Sequence, residues 1–267
     1  METKRLKNIA ILILVMLNGF LLVLLGYQDL QAVRAERSAR EELKKIFAAE
    51  ELTLTLSSDV LQESLATLSL TRQTDTEGRI AAFLLGEVVS AESQGGGIYS
   101  YKSDMGTVQF RAGGGFDTVS LNRYVGEAFA FAQQFCERFD YEDADYQLVD
   151  DSGVVTARQY VAGVPVFGCS LTLTFENGFL VRAAGAHIDL GDAMADGKES
   201  LNCVSVLVRF LDYRRDAGII CSEIRDVRCV YQLQSTATPP RLLPVWEIET
   251  DTYVYLVDGV TAEVSRR

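Results

Sequence analysis

The chain has 267 residues, 48% hydrophobic and 23% charged, with a formal net charge of −12. Such an apolar fraction excludes intrinsic disorder and is enough for two small domains, while an acidic body repels phosphate backbones, so no nucleic-acid partner is expected. His187 is the single histidine and the five cysteines show no CxxC spacing, which argues against zinc sites built on paired histidines and leaves no metal or cofactor to expect.

The first residues carry Lys4, Arg5 and Lys7 against Glu2 alone, and Ile9 to Gly26 (IAILILVMLNGFLLVLLG) contain no charge. Eighteen helical residues span roughly 27 Å, close to the hydrocarbon thickness of a bilayer. A cleaved signal peptide has a shorter apolar stretch and small residues at its cleavage site, and Leu30-Gln31-Ala32 is a poor match. The reading is therefore an uncleaved single-pass anchor with its N-terminus cytoplasmic by the positive-inside bias and the body extracellular. Ile11, Val15, Asn18, Leu22 and Gly26 follow 4-3-4-4 spacing and form one helix face. Asn18 on that seam is a candidate for hydrogen bonding to a partner helix, since polar groups inside a membrane tend to be functional.

Residues 28–50 are rich in Ala, Glu, Arg and Lys, which predicts a stalk helix with apolar positions Leu30, Val33, Leu43, Ile46 and Phe47. From Leu52 to Thr118 the pattern reads as short strands: Leu52, Leu54 and Leu56 alternate with threonines, followed by Ile80–Leu85, Ile98–Tyr101 and Val108–Arg111. The runs Gly95–Gly97 and Gly113–Gly115 lack the following Lys-Ser/Thr of a phosphate loop, so they read as hairpin turns or loop tips.

Beyond them lies a weak internal duplication. Leu121, Val125, Ala128, Ala132, Phe135 and Phe139 step 4-3-4-3-4, predicting an amphipathic helix with Ser120 as an optional N-cap. Leu201, Val204, Val208 and Leu211 predict a second helix ending near Gly218. Pro165-Val166-Phe167 follows the first and Pro244-Val245-Trp246 the second. Asn177-Gly178 and Asp258-Gly259 then supply hairpin signals at nearly the same offset. Leu171, Leu173 and Phe175 alternate with Ser170, Thr172 and Thr174, so one sheet face is buried under a helix. The predicted fold class is α+β: a single N-terminal transmembrane helix, then an extracytoplasmic body of tandem helix-plus-antiparallel-sheet units. Its divisions are a cytoplasmic N-terminus (1–8), the transmembrane helix (9–27), the stalk helix (28–50), an N-terminal α/β subdomain (51–118), and two helix-plus-meander units (119–198 and 199–267).

Little in the chain points to catalysis. His187 lies in an alternating, strand-like stretch and no GxSxG elbow accompanies it, so a surface or edge histidine is expected in place of a Ser-His-Asp base. Asp140, Glu142, Asp143, Asp145, Asp150 and Asp151 do not follow a calcium-loop spacing and read as a solvated helix end and turn. Cys136 reads as core. Cys221 and Cys229 either face one another or lie unpaired on one strand.

The stretches KNIAILILVMLNGFLLVLL, YSYKSDMGTVQFRAGGGF and QYVAGVPVFGCSLTLTFENGFLV, with Pro244-Val245-Trp246 near the end, resemble the YycH/YycI family, most closely its YycI branch. That resemblance implies a non-enzymatic accessory protein with no catalytic residues. It implies partnership with a YycH-like companion and restraint of a YycG/WalK-like sensor histidine kinase of a cell-wall two-component system, through transmembrane contacts. Homo- or hetero-dimeric association is left open. The helix-plus-meander units also resemble PepSY-type modules, which implies as the alternative an extracytoplasmic binding or protease-inhibiting module.

Overall fold

The computed structural model describes residues 37–57, 60–62, 64–88, 90–191, 193–236 and 239–267. The transmembrane segment and its seam (Ile11, Val15, Asn18, Leu22 and Gly26) lie outside the described residues. Among the described residues no helix is long and apolar enough to cross a membrane. The architecture is α+β, with four helices against an extensive, mostly antiparallel sheet.

The N-terminal part comprises helix α1 (37–49), β1 (Thr53–Leu54), a 3-10 turn (Val60–Gln62), β2 (Ala66–Ser69) and α2 (Thr74–Leu85). Five strands follow: β3 (Ser90–Gly95), β4 (Ile98–Ser103), β5 (Gly106–Phe110), β6 (Gly115–Val119) and β7 (Arg123–Tyr124). Helix α3 (Ala128–Arg138) then leads into β8 (Tyr141–Val149), β9 (Ser152–Val161), β10 (Val164–Glu176) and β11 (Phe179–Ala186). After β12 (Met194–Glu199), helix α4 (Cys203–Asp216) leads into β13 (Glu223–Gln234), β14 (Arg241–Thr250), β15 (Val254–Asp258) and β16 (Val264–Arg266).

Each of α3 and α4 is thus followed by a four-stranded antiparallel meander. Strands β3, β4, β5, β6, β11, β10, β9 and β8 lie side by side in that order, with α2 and α3 on one face. The core between them contains Phe110, Phe116, Phe135, Leu171, Leu173 and Phe175, so the alternation along β10 places its apolar residues under the helices. The other half packs α1, α4 and the 3-10 turn on β1, β13, β14 and β15, around Phe47, Phe210, Trp246 and Tyr255. β10 joins the halves: Val166 and Phe167 pair in parallel with Tyr231 and Gln232 of β13, and the rest of the strand pairs with β9 and β11. Segment 51–118 is shared, β1 and β2 pairing with β13 and β14 while α2 and β3–β6 belong to the first half.

Several local expectations change. Ile80–Leu85 is helical, not extended, within α2. Asp75 and Glu77 in its first turn favour the positive end of the helix dipole, and Ile80, Ala81, Leu84 and Leu85 bury a helical stripe that an unbroken apolar run conceals. The first amphipathic helix begins at Ala128 and not near Leu121. Ser120 adopts a left-handed φ of 53°, and Arg123–Tyr124 pair with β11. The helix is capped from afar, the Ala128 N–H donating to Asp151 Oδ1 at 3.0 Å. In α4 the period is as predicted but the buried face is turned: Cys203, Val206, Leu207, Phe210 and Leu211 face the core, while Val208 is exposed. Asn202 caps it by accepting from the Ser205 N–H at 2.9 Å. The last turns of α1 do not stand free as a stalk, because Leu43 and Phe47 are buried in the second core.

The two Pro-Val-aromatic landmarks share a physical role without being equivalent positions. Pro165 sits where β10 leaves β9 to meet β13, and Pro244 where β14 exchanges β2 for β15. A proline offers no N–H, so it costs least where a strand changes partner. Asn177-Gly178 forms a tight hairpin with φ of 49° and 75°, as a type I′ turn requires. Asp258-Gly259 instead opens a longer loop between β15 and β16. In it Asp258 Oδ1 accepts from the Val260 and Thr261 N–H groups, and the Gly259 N–H donates to Pro244 O.

Candidate functional site

The polar side chains of the first half converge where β11 ends. His187, Ile188 and Asp189 form a wall between two recesses. A narrow crevice of about 40 Å³ reaches Arg72, Glu77 and the Gly113–Gly114 turn. On the other side an open cleft of about 400 Å³ is bordered by Thr76, Arg79, Arg138, Asp140, Gln159 and Asp189. The two glycine runs differ in purpose. Gly95 and Gly96 turn the β3–β4 hairpin in open space, while a Cβ on Gly97 would lie 2.9 Å from Ala112 Cβ; Gly114 (φ 84°) receives the His187 N–H on its carbonyl at 3.0 Å, and a Cβ there would lie 2.5 Å from His187 O.

His187 is half-buried, not the surface or edge residue that strand alternation suggests. Its ring packs near Phe139 and Tyr141, with centroids 6.2 and 5.8 Å away. Gln159 holds it. Because Gln159 Oε1 accepts the Ile188 N–H at 2.9 Å, the amide orientation is fixed; Nε2 then donates both to Ile188 O at 2.8 Å and to His187 Nδ1 at 3.1 Å. Nδ1 is therefore the acceptor nitrogen and Nε2 carries the proton. Burial lowers the imidazole pKa from 6.5 to about 4, outweighing the attraction of Asp189 and Asp140. The ring is neutral at pH 7.

Asp189 does not orient the imidazole. Its carboxylate accepts from Thr76 Oγ1 at 2.7 Å and from the Gly191 N–H at 2.9 Å, and those bonds hold its pKa below the ordinary value. With the only lone pair of His187 engaged by an amide, and with no hydroxyl bonded to the ring, no Ser-His-Asp geometry is formed among the described residues. Nearby, Arg72 grips the buried Glu77 in a two-pronged pair at 2.7 and 2.9 Å and donates to Gly97 O at 2.6 Å, tying α2 to the β3–β4 turn. Burial raises the Glu77 pKa, opposed by Arg72.

The acidic group is split. Asp140 ends α3, Glu142, Asp143 and Asp145 are exposed on β8, and Asp150 and Asp151 turn the β8–β9 hairpin. Among the described residues no three His, Cys, Asp or Glu side chains are grouped as a metal ion needs. All five cysteines are buried and none is in a disulfide, Cys136 and Cys169 with thiol pKa values pushed by burial to about 11 and about 12; Cys221 and Cys229 are not bridged. The sequence alone did not single out Gln159, Thr76 or Arg72. Each acts on a partner 5 to 113 residues away, a relation that short-range spacing does not carry.

Compared with known protein families, curated proteins and solved structures, the chain matches none.

Proposed function

We propose that this protein is a membrane-anchored accessory regulator of a YycG/WalK-like sensor histidine kinase, working with a YycH-like companion. The observation that carries the reading is the uncharged run from Ile9 to Gly26, led by Lys4, Arg5 and Lys7, with Asn18 on one face. Support from the body is chemical: its one histidine is neutral and its lone pair is clasped by Gln159, which suits association better than turnover. In this mechanism the anchor packs beside the kinase helices and biases them toward the inactive arrangement. A shift from 1:99 to 99:1 needs about 5.5 kcal/mol of differential binding. An interhelical Asn contact is worth only about 0.6–2 kcal/mol, so the outer body or the companion contributes the rest.

Detergent co-purification from native membranes tests this, comparing the intact chain with one whose residues 9–26 are replaced by an unrelated membrane helix. The expected result is loss of the kinase and the companion with the foreign helix. Asn18→Leu weakens regulation on the same reasoning; unchanged signalling counts against the seam.

A second reading draws on the two successive helix-plus-four-strand units: a PepSY-like extracytoplasmic binding or protease-inhibiting module. Such a module works through its outer body, so its partners survive the helix exchange.

A further inference from the structure

Helices α2 and α3 lie side by side on the sheet, and a groove of about 370 Å³ runs between their outer faces. Its floor is aromatic: the Phe83 and Phe131 rings are half-buried, with centroids 5.0 Å apart. Its walls carry Arg79, Arg123, Arg138 and Gln134. Arg79, Ala82 and Phe83 recur at i, i+3 and i+4 on α2, with its C-cap Gly86 at i+7, and Phe131, Gln134 and Arg138 at i, i+3 and i+7 on α3, so each helix turns one face to the groove.

Three features set these arginines apart. The protein is strongly acidic, with 37 Asp and Glu against 25 Lys and Arg, yet no carboxylate forms an ion pair with any of the three among the described residues. Two of them lie over the floor: the guanidinium carbon of Arg123 is 5.4 Å from the Phe131 centroid and that of Arg138 is 5.8 Å from that of Phe83. Arg123 also donates to Phe83 O, fixing it at the C-terminal end of α2. A guanidinium over a ring keeps N–H groups for an oxyanion, which it binds in a planar, two-pronged manner; Arg123 keeps only those not given to Phe83 O.

We propose that the α2–α3 groove is a binding site for an organic phosphate monoester whose alcohol part is a ring or other flat apolar group. Three arginines without a salt bridge among the described residues, Arg79 partly offset by Asp189, match a dianion better than a single carboxylate, and the exposed parts of Phe83 and Phe131 offer a surface on which a ring stacks. Gln134 adds an amide donor at the same wall. Association involves no covalent step. The site goes beyond the regulator reading and does not depend on it.

The test uses the full chain in detergent micelles, titrated with phenyl phosphate and followed by calorimetry and by the phosphorus resonance of the ligand. Saturable binding with a dissociation constant at or below about 1 mM is expected. The double variant Arg79→Gln/Arg138→Gln weakens it at least about tenfold, since removing one charge-assisted hydrogen bond costs about that factor. Circular dichroism of the variant stays that of the parent, because neither side chain makes a hydrogen bond among the described residues; Arg123 is left intact because it caps α2. Absence of saturation up to about 10 mM, or equal binding by the double variant, overturns the site. Equal affinity for inorganic phosphate overturns the aromatic subsite, and equal affinity for benzoate overturns the preference for a dianion.

Discussion

Acidification should unlock the first half of the protein at His187. Its pKa lies near 4 in the folded chain and at the ordinary 6.5 once unfolded, so the unfolded state takes up the proton first as pH falls. The stability associated with the neutral ring is therefore fully present above pH 6.5 and is lost on the way down to about pH 4. The shift corresponds to a loss of about 2 kcal/mol by pH 5 and at most about 3 kcal/mol below pH 4. The structural cause is specific: protonation at Nδ1 evicts the Gln159 Nε2–H bond, and Gln159 also holds both backbone groups of Ile188. Asp189 acts in the same direction but only below the ordinary carboxylate range, because its own pKa is lowered. Glu77, whose pKa is raised, acts in the opposite direction. The assay is urea unfolding of the full chain in micelles, followed by far-ultraviolet circular dichroism between about pH 7.5 and about pH 5. His187→Asn keeps an acceptor for Gln159 and removes the titration, so its stability should change less by about 2 kcal/mol over that window. Parallel pH profiles for parent and variant refute the reasoning.

Three further outcomes follow from the packing. Gly185→Ala in β11 places a Cβ 2.2 Å from Ser170 O, too close for β10 and β11 to keep their spacing; a loss of about 3 kcal/mol in urea unfolding is expected, and a neutral effect refutes it. Glu247, only 3% exposed on β14, accepts from Arg228 and, at 3.0 Å, from Arg267. Glu247→Gln therefore costs about 1–2 kcal/mol, discounted because both arginines are half in solvent, whereas Arg267→Ala costs under about 1 kcal/mol because Arg228 remains; thermal melts distinguish them. The five buried thiols should resist a maleimide at about pH 8 and react once urea unfolds the chain, as quantified by mass spectrometry; rapid labelling of the native protein at Cys136 or Cys169 contradicts their burial.

How much of this was legible depends on the range over which each signal acts. Helix α4 was visible from its own apolar period, although its Asn202 cap was not read, and the β10–β11 turn because Asn177-Gly178 adopts left-handed φ angles locally. The β10 alternation was visible because period two is a local property. The start of α3 was not, since its cap is Asp151, in a hairpin that exists only after β8 and β9 pair. An apolar period extended backward through Leu121 and Val125 because both positions are shielded for other reasons, in a loop and beside β7. Ile80–Leu85 was misread for a related reason: an apolar run of six has no period of its own, and the decisive signs are the acidic first turn before it and Gly86 after it.

The site follows the same division. His187 was singled out by being unique, but its chemistry is set by Gln159 from β9, Thr76 from α2 and a glycine turn between β5 and β6, none of them near it in sequence. Its neighbours in the chain suggested a surface or edge residue; its neighbours in space make it a neutral spacer between two recesses. The arginine groove shows the complementary case. Its residues obey helical spacing on each helix separately, so each half was present in the sequence, yet two such faces become one site only when α2 and α3 share a sheet. A binding surface made in this way requires no motif, which is why a chain poor in catalytic signatures still offers a specific, charged and pre-positioned recess.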